Sequence, residues 1–208
     1  MPNADPPRRT RIQERNRKAI LQAALTVFSA RGFNGATLTQ IATEAGLSKP
    51  NLLYYFASKD AIYDALLLEL LDSWLAPMRE IDPNGDPVDE LVSYVLRKLE
   101  MSRRMPAESR LFANEIVQGA PRIHATITGP LKDLVDEVAA LITSWIEAGK
   151  LAPTKPHHLI FSIWATTQHY ADFEVQVNAI LAPEGDPDFQ DAAAFLEAFY
   201  RRALSPKP

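Results

Sequence analysis

Sixteen prolines are distributed along this 208-residue chain, and most fall between segments whose apolar residues recur every three or four positions. Proline lacks the backbone N–H and clashes with the preceding helical turn, so it opens or ends helices rather than running through them. So punctuated, the pattern predicts an all-α fold of about nine helices, at about 12–31, 38–45, 49–55, 58–79, 88–104, 107–118, 130–149, 156–181 and 188–204. Strand-like alternation is nowhere sustained, and no segment repeats another. The clearest break, Asp82-Pro-Asn-Gly-Asp-Pro87, separates a small N-terminal part from a larger remainder.

The stretch from Thr37 to Phe56 carries the sharpest local signals. Thr37-Leu-Thr-Gln40 has the form of a capping box, in which hydroxyl and carboxamide satisfy free donors at a helix start. Gly46 closes that short helix, and Ser48 caps the next, where Pro50 is tolerated in the first turn. Two short helices joined by a glycine turn have helix-turn-helix spacing. Ile41, Ala42, Leu47, Leu52 and Phe56 can face inward, which leaves Lys49, Asn51, Tyr54 and Tyr55 exposed on the second helix. Those side chains suit a major groove: lysine for guanine acceptors or phosphate, asparagine for adenine, tyrosine for phosphate oxygens and thymine methyls. Thr37 and Lys59, each at a helix start, are placed to meet phosphates. Ser48, as the cap of the second helix, joins the same candidate DNA contacts.

Charge agrees with this placement. Residues 1–60 hold nine Lys or Arg against four Asp or Glu, a surplus of +5, and the chain total of −4 leaves −9 for the rest. The N-terminal end therefore attracts phosphate within an otherwise acidic protein. Residues 1–11 read as a disordered basic arm, 12–60 as the DNA-binding domain with a connecting helix at 58–79, and 80–208 as a ligand-binding and dimerisation domain. No cysteine is present, which excludes disulfides and thiolate chemistry. No apolar run approaches the roughly 20 residues that cross a bilayer, nor does one follow the first basic residues. A cytoplasmic protein is expected.

The segment Phe33-Asn-Gly-Ala-Thr-Leu-Thr-Gln-Ile-Ala-Thr-Glu-Ala-Gly-Leu-Ser-Lys-Pro-Asn-Leu-Leu-Tyr-Tyr-Phe-Ala-Ser-Lys59 resembles the N-terminal domain of TetR-family transcriptional regulators. Leu53 departs from the aromatic that many members carry there. Beyond it, Trp74-Leu-Ala-Pro77, Ser109-Arg-Leu-Phe112, Gly149-Lys-Leu-Ala-Pro153 and the run His158 to Val177 resemble members that govern pyrimidine utilisation. The resemblance implies a repressor-type regulator that binds double-stranded operator DNA and is released by uracil or thymine as effector.

In the C-terminal part, Trp164 and Gln168 are one turn apart on one helix face, and Trp74 and Phe112 are candidates to complete a flat aromatic pocket. On spacing alone these aromatics read first as core filling. With a planar effector they become an effector site, in which the Gln168 carboxamide supplies a donor beside an acceptor. Phe195, Leu196, Phe199, Tyr200, Ala203 and Leu204 recur at helical spacing, so the helices at 156–181 and 188–204 offer a homodimer face. No catalytic residue, cofactor or metal is expected. His157, His158, His169, Asp172 and Glu174 lack metal-ligand spacing, His124 stands alone as a solvated loop residue, and no phosphate loop or nucleophile motif occurs. Two alternatives remain open: a regulator answering another planar or apolar ligand, and a structural helical protein with no DNA target.

Overall fold

The computed structural model describes residues 11–181 and 189–206, and within them the chain is helical without a strand. The basic arm at 1–10 and the separator at 183–187 lie outside the described residues. Two compact units divide between Glu69 and Leu70.

In the first unit, α1 (Arg11–Gly35) contributes Ile20, Ala24, Val27 and Phe28 to the core, the stripe expected from its spacing. Its helical geometry breaks at Gly32, where φ is 66° and ψ is 171°. That left-handed φ costs glycine little and other residues more, so the stop is written into the residue type. Next, α2 (Leu38–Glu44) starts with the full capping box on Thr37 and Gln40. It ends at Gly46, whose N–H donates to the Thr43 carbonyl at 3.1 Å while Leu47 N–H reaches Ala42 at 2.9 Å. These two bonds form a Schellman motif, which turns the chain sharply into α3 (Lys49–Tyr55), capped by Ser48. A fourth helix, α4 (Lys59–Arg79), closes the unit with Ile62, Tyr63, Leu66 and Leu67 buried and continues past Glu69. Phe28, Phe33 and Tyr63 form an aromatic triplet, with the Tyr63 ring 4.9 Å from each of the others.

The second unit is built on α5 (Pro87–Arg104), α6 (Pro106–Val117), α8 (Lys132–Glu147), α9 (Pro156–Asp172) and α11 (Phe189–Leu204). Tyr94, Val95 and Leu99 of α5, Val138 and Ile142 of α8, Ile160 and Ile163 of α9, and Leu196 and Tyr200 of α11 share one core. Asp86 opens α5 by accepting from the N–H groups of Val88 and Asp89 at 3.0 Å.

Two segments depart from expectation. A one-turn α7 (His124–Thr126) leads through a π-helical turn (Ile127–Leu131) that holds Gly129 and Pro130, so α8 starts at Lys132 rather than 130. The long helix expected at 156–181 breaks at Phe173, leaving α10 (Glu174–Leu181) as a separate piece. Neither proline nor glycine causes that break. Arg110 of α6 donates to the Ala171 carbonyl at 3.3 Å and pairs with Glu174, so a neighbouring helix shares an acceptor that a continuous helix would use. Among the described residues, no helix is long and apolar enough to cross a membrane.

Phe28→Ala removes the most deeply buried ring of the triplet and leaves a cavity, so the first unit should lose about 3–5 kcal/mol. Exposed Ile12→Ala should change stability by less than about 0.5 kcal/mol. Urea titration of both variants checks the contrast.

Candidate functional site

The first unit presents α3 as its candidate DNA-reading element. Leu52 is fully buried and Phe56 nearly so, and they anchor the helix, while Lys49, Asn51 and Tyr54 are exposed, Tyr54 to 71%. The side chains of Lys49 and Asn51 have no hydrogen-bond partner among the described residues, Asn51 bonding only through its backbone N–H. Tyr54 and Tyr55 are held from below: the Tyr54 hydroxyl accepts from Gln13 Nε2 at 3.3 Å and the Tyr55 hydroxyl from Asn16 Nδ2 at 2.8 Å. Their rings meet edge to face at 5.2 Å. Arg17 lies 4.4 Å over the Phe56 ring, so the start of α1 braces the end of α3. Arg17 counts in the sequence only toward the basic surplus of residues 1–60, and Gln13 and Asn16 carry no local signal, since their partners lie about forty residues further along the chain.

Thr37 and Ser48 are exposed, and both hydroxyls serve their caps: Thr37 Oγ1 accepts from Gln40 N–H and Ser48 Oγ from Asn51 N–H, each at 3.3 Å. Lys59 differs from its expected role. Its ammonium donates to the carbonyls of Phe33 at 2.7 Å and Ala36 at 3.0 Å and lies 4.3 Å over the Phe33 ring. Two of its three donors are thus spent fastening α4 to the α1–α2 connection, because the chain ends there leave carbonyls unpaired. Lys59→Met should therefore destabilise the first unit by roughly 1–3 kcal/mol, the cost of stranding those carbonyls. A loss of DNA affinity without any shift in the unfolding midpoint would show that the clamp is dispensable.

In the second unit the four residues expected to hold an effector are dispersed around a polar cluster. Trp74 is 6% exposed, and its Nε1 is buried with no hydrogen-bond partner. Lys98 of α5, at 0% exposure, donates to the Trp74 carbonyl at 3.2 Å and lies 4.3 Å over its ring. Trp164 donates its Nε1–H to the Tyr94 hydroxyl at 2.7 Å, so its polar edge is occupied. Gln168 is half-buried on the same face of α9 and has no partner among the described residues. Phe112 is half-buried on α6, one turn after Ser109, which donates to Asp172 Oδ1 at 2.6 Å. None of the four lines the cavity of about 670 Å³ that is bounded by Ser102, Pro106, Tyr170, Asn178 and Phe189. The sequence does not single out Lys98, offers Ser109 only within a resembling segment and Asp172 only among carboxylates without metal spacing, since the three join only when α5, α6 and α9 assemble.

Burial dominates the ionisation of this cluster. It pulls the Lys98 ammonium down to about 7, against the attraction of Asp172, and raises the Asp172 carboxyl despite its Ser109 bond. Burial likewise raises Tyr94, although Trp164 and Arg97 act to lower it. Elsewhere, His157 Nε2 lies 2.9 Å from Asp136 and His169 stacks on Phe173 at 4.9 Å. Among the described residues, no three His, Asp or Glu side chains gather as metal ligands do. His124 is exposed, but in the one-turn α7 rather than in a loop.

A lysine depressed in the folded state binds fewer protons there than when unfolded, between about 7 and its ordinary value. Its burial cost is therefore fully present below pH 7 and is relieved as pH rises. Denaturation midpoints should increase from pH 7 to pH 9, and Lys98→Met should remove that part of the increase. Identical pH profiles for the two proteins would contradict the assignment.

Two family models match the chain: "Bacterial regulatory proteins, tetR family" over residues 20–66, and "YcdC-like protein, C-terminal region" over residues 67–207. The HTH-type transcriptional regulator RutR of Escherichia coli (strain K12) is 52% identical over 173 residues, covering 83% of this chain and 82% of that protein. The HTH-type transcriptional repressor NicS of Pseudomonas putida is 30% identical over 68% of this chain and 66% of its own length. The ketosteroid transcriptional regulator KstR2 of Mycobacterium tuberculosis shares the fold at a TM-score of 0.72 and 23% identity, with 92% of this chain and 95% of that one aligned.

Proposed function

This chain belongs to the TetR family of bacterial regulatory proteins, transcription regulators that bind DNA rather than enzymes, and from that premise we propose a homodimeric, cytoplasmic repressor released from operator DNA by uracil or thymine. The observation that carries the effector is the extent of the likeness to RutR, which at 83% of the chain reaches well beyond the DNA-binding unit. The pyrimidine itself follows from the resemblance of Trp74 to Pro77 and His158 to Val177 to regulators of pyrimidine utilisation. A different planar or apolar ligand is the competing reading within the family.

On the DNA side, Lys49, Asn51, Tyr54 and Tyr55 enter a major groove, with Asn51 reading a base and Thr37 and Ser48 beside the backbone. One helix-turn-helix reaches one half-site, so a dimer is needed to span two half-sites roughly 34 Å apart. The outer face of α11 suits that role: Phe195 and Phe199 are stacked at 6.1 Å and remain 61% and 50% exposed, while Leu196, Tyr200 and Leu204 point into the core. The helix is thus apolar on two sides, more than a monomer needs.

The effector acts by differential affinity for two states of the regulator. A ligand held against Trp74 acts on α4, the helix that also closes the DNA-binding unit. Effector and operator then weaken each other by the same factor.

Fluorescence anisotropy with DNA from the protein's own upstream region tests this reading. Uracil or thymine should lower operator affinity in proportion to its own binding, and saturating pyrimidine with unchanged affinity would exclude both as inducers. In the same assay Asn51→Ala should relax preference at one position per half-site, at about 1–3 kcal/mol. A uniform loss across all sequences would assign Asn51 to the backbone instead. Phe199→Asp should shift the dimer to monomer in sedimentation equilibrium; an unchanged mass would move the interface elsewhere.

A further inference from the structure

Side chains from four helices meet inside the second unit: Trp74 of α4, Lys98 of α5, Ser109 of α6 and Asp172 of α9. Lys98 reaches the Trp74 carbonyl, Ser109 holds one oxygen of Asp172, and the charges of Lys98 and Asp172 attract each other. Trp74, Lys98 and Ser109 are buried and Asp172 half-buried, yet the cluster is incomplete. Trp74 Nε1 is buried and bonds to nothing, and Lys98 has donors beyond the one on the Trp74 carbonyl. A buried N–H left bare costs a fold about 1–3 kcal/mol, and such groups are rare enough to need a reason. On α9, Trp164, Gln168 and Asp172 follow at four-residue intervals, so Asp172 and the unpartnered Gln168 share a face.

We propose that this cluster is the part of the effector site that fixes ligand polarity: Lys98 Nζ and Trp74 Nε1 donate to a ring carbonyl, and Asp172 accepts from the adjacent ring N–H. The inference rests on the effector reading above and narrows it to a planar ring amide with N–H beside C=O. Gln168 cannot supply this selection alone, because turning its amide by 180° exchanges donor and acceptor. Asp172 and Lys98 cannot be exchanged that way: a carboxylate only accepts and an ammonium only donates. Uracil and thymine alternate N–H and C=O around the ring, so one such pair meets Gln168 and the other meets Asp172 with Lys98. Cytosine offers a bare ring nitrogen and an amino group in place of one pair. That puts a lone pair against the carboxylate and N–H against the ammonium, and each mismatch leaves a buried group unpaired. The cavity bounded by Ser102, Pro106 and Tyr170 offers a different polarity: its charges are matched, Glu100 with Arg103 and Glu174 with Arg110, and its unpartnered buried group is an acceptor, Asn178 Oδ1, with no fixed donor beside it.

Isothermal calorimetry on the full chain with uracil, cytosine and 1,3-dimethyluracil tests the assignment. The wild type should prefer uracil to both others by roughly tenfold or more. Lys98→Met and Asp172→Asn should each weaken uracil by a similar factor and narrow its advantage over cytosine. Without ligand, both variants should keep the helical circular-dichroism signal of the wild type, so that weakened binding reads as lost polarity and not as lost fold. Uracil binding and selectivity unchanged in both variants would overturn the polarity assignment and leave uracil as effector. Should either variant fail to fold, the wild type decides: 1,3-dimethyluracil, which keeps the ring and both carbonyls but has no N–H, binding as tightly as uracil overturns the proposal. A wild type that ignores uracil and thymine overturns the effector reading and this inference together.

Discussion

Taking the Lys98 ammonium out of water costs several kcal/mol unless protein groups replace its hydration. Here the replacement is partial: one carbonyl, one indole face and a carboxylate whose own ionisation is opposed by burial. Because the cost is met only when α4, α5, α6 and α9 are all in place, Lys98 ties four helices to one arrangement. Arg97, the adjacent residue, donates to the Pro77 carbonyl at 3.2 Å, so α5 grips the end of α4 at two successive carbonyl sites. Replacing such a centre with apolar residues would raise stability. The polar effector contact proposed above gives that cost a use.

The first unit solves a different problem. Two helices of seven residues each are too short to be stable alone, since helix nucleation is costly and most helical stability comes from packing. Caps at both starts and a Schellman turn between them satisfy the free backbone groups, and Ile41, Ala42 and Leu52 bury the inner faces. With the inner face settled, the outer face of α3 is free to carry Lys49, Asn51 and Tyr54, the residues proposed to meet DNA. The bonds from Gln13 and Asn16 to the two tyrosine hydroxyls fix ring directions before any groove is met, which lowers the ordering cost of contact.

Features that follow from a single residue and its neighbours were legible in the sequence. The capping box at Thr37, the stop at Gly32, the turn at Gly46 and the buried stripe of α1 depend only on local geometry and on helical period. Features made by two helices were not. Lys59 reads as a surface cation because its acceptors belong to Phe33 and Ala36, more than twenty residues earlier. At the break at Phe173 the Ala171 carbonyl is shared between the local Phe173 N–H and Arg110 of α6, a partner that the neighbouring sequence does not reveal. Asp172 was weighed only as a metal ligand, since its partners Ser109 and Lys98 lie far from it in the chain. Along α11 the period marked the apolar positions correctly but could not divide them; the structure sends Leu196 and Tyr200 inward and leaves Phe195 and Phe199 outside.

An effector shifts a regulator only through interactions that differ between its two states. Apolar stacking on Trp164 or Phe112 supplies affinity, but it changes little with small displacements and distinguishes the states poorly. A bare N–H in a dry site is different, because a hydrogen bond weakens steeply with misalignment. Trp74 Nε1 is such a group, and it stands on α4. Pairing it stabilises only those positions of α4 in which donor and ligand carbonyl align. The same helix begins with Lys59, whose ammonium has a fixed geometry to two carbonyls of the DNA-binding unit. On the effector reading proposed above, α4 would carry one directional bond to the ligand at Trp74 beside the one Lys59 makes within the first unit. A ligand bonded in that way would select a position of α4 rather than merely add to its stability.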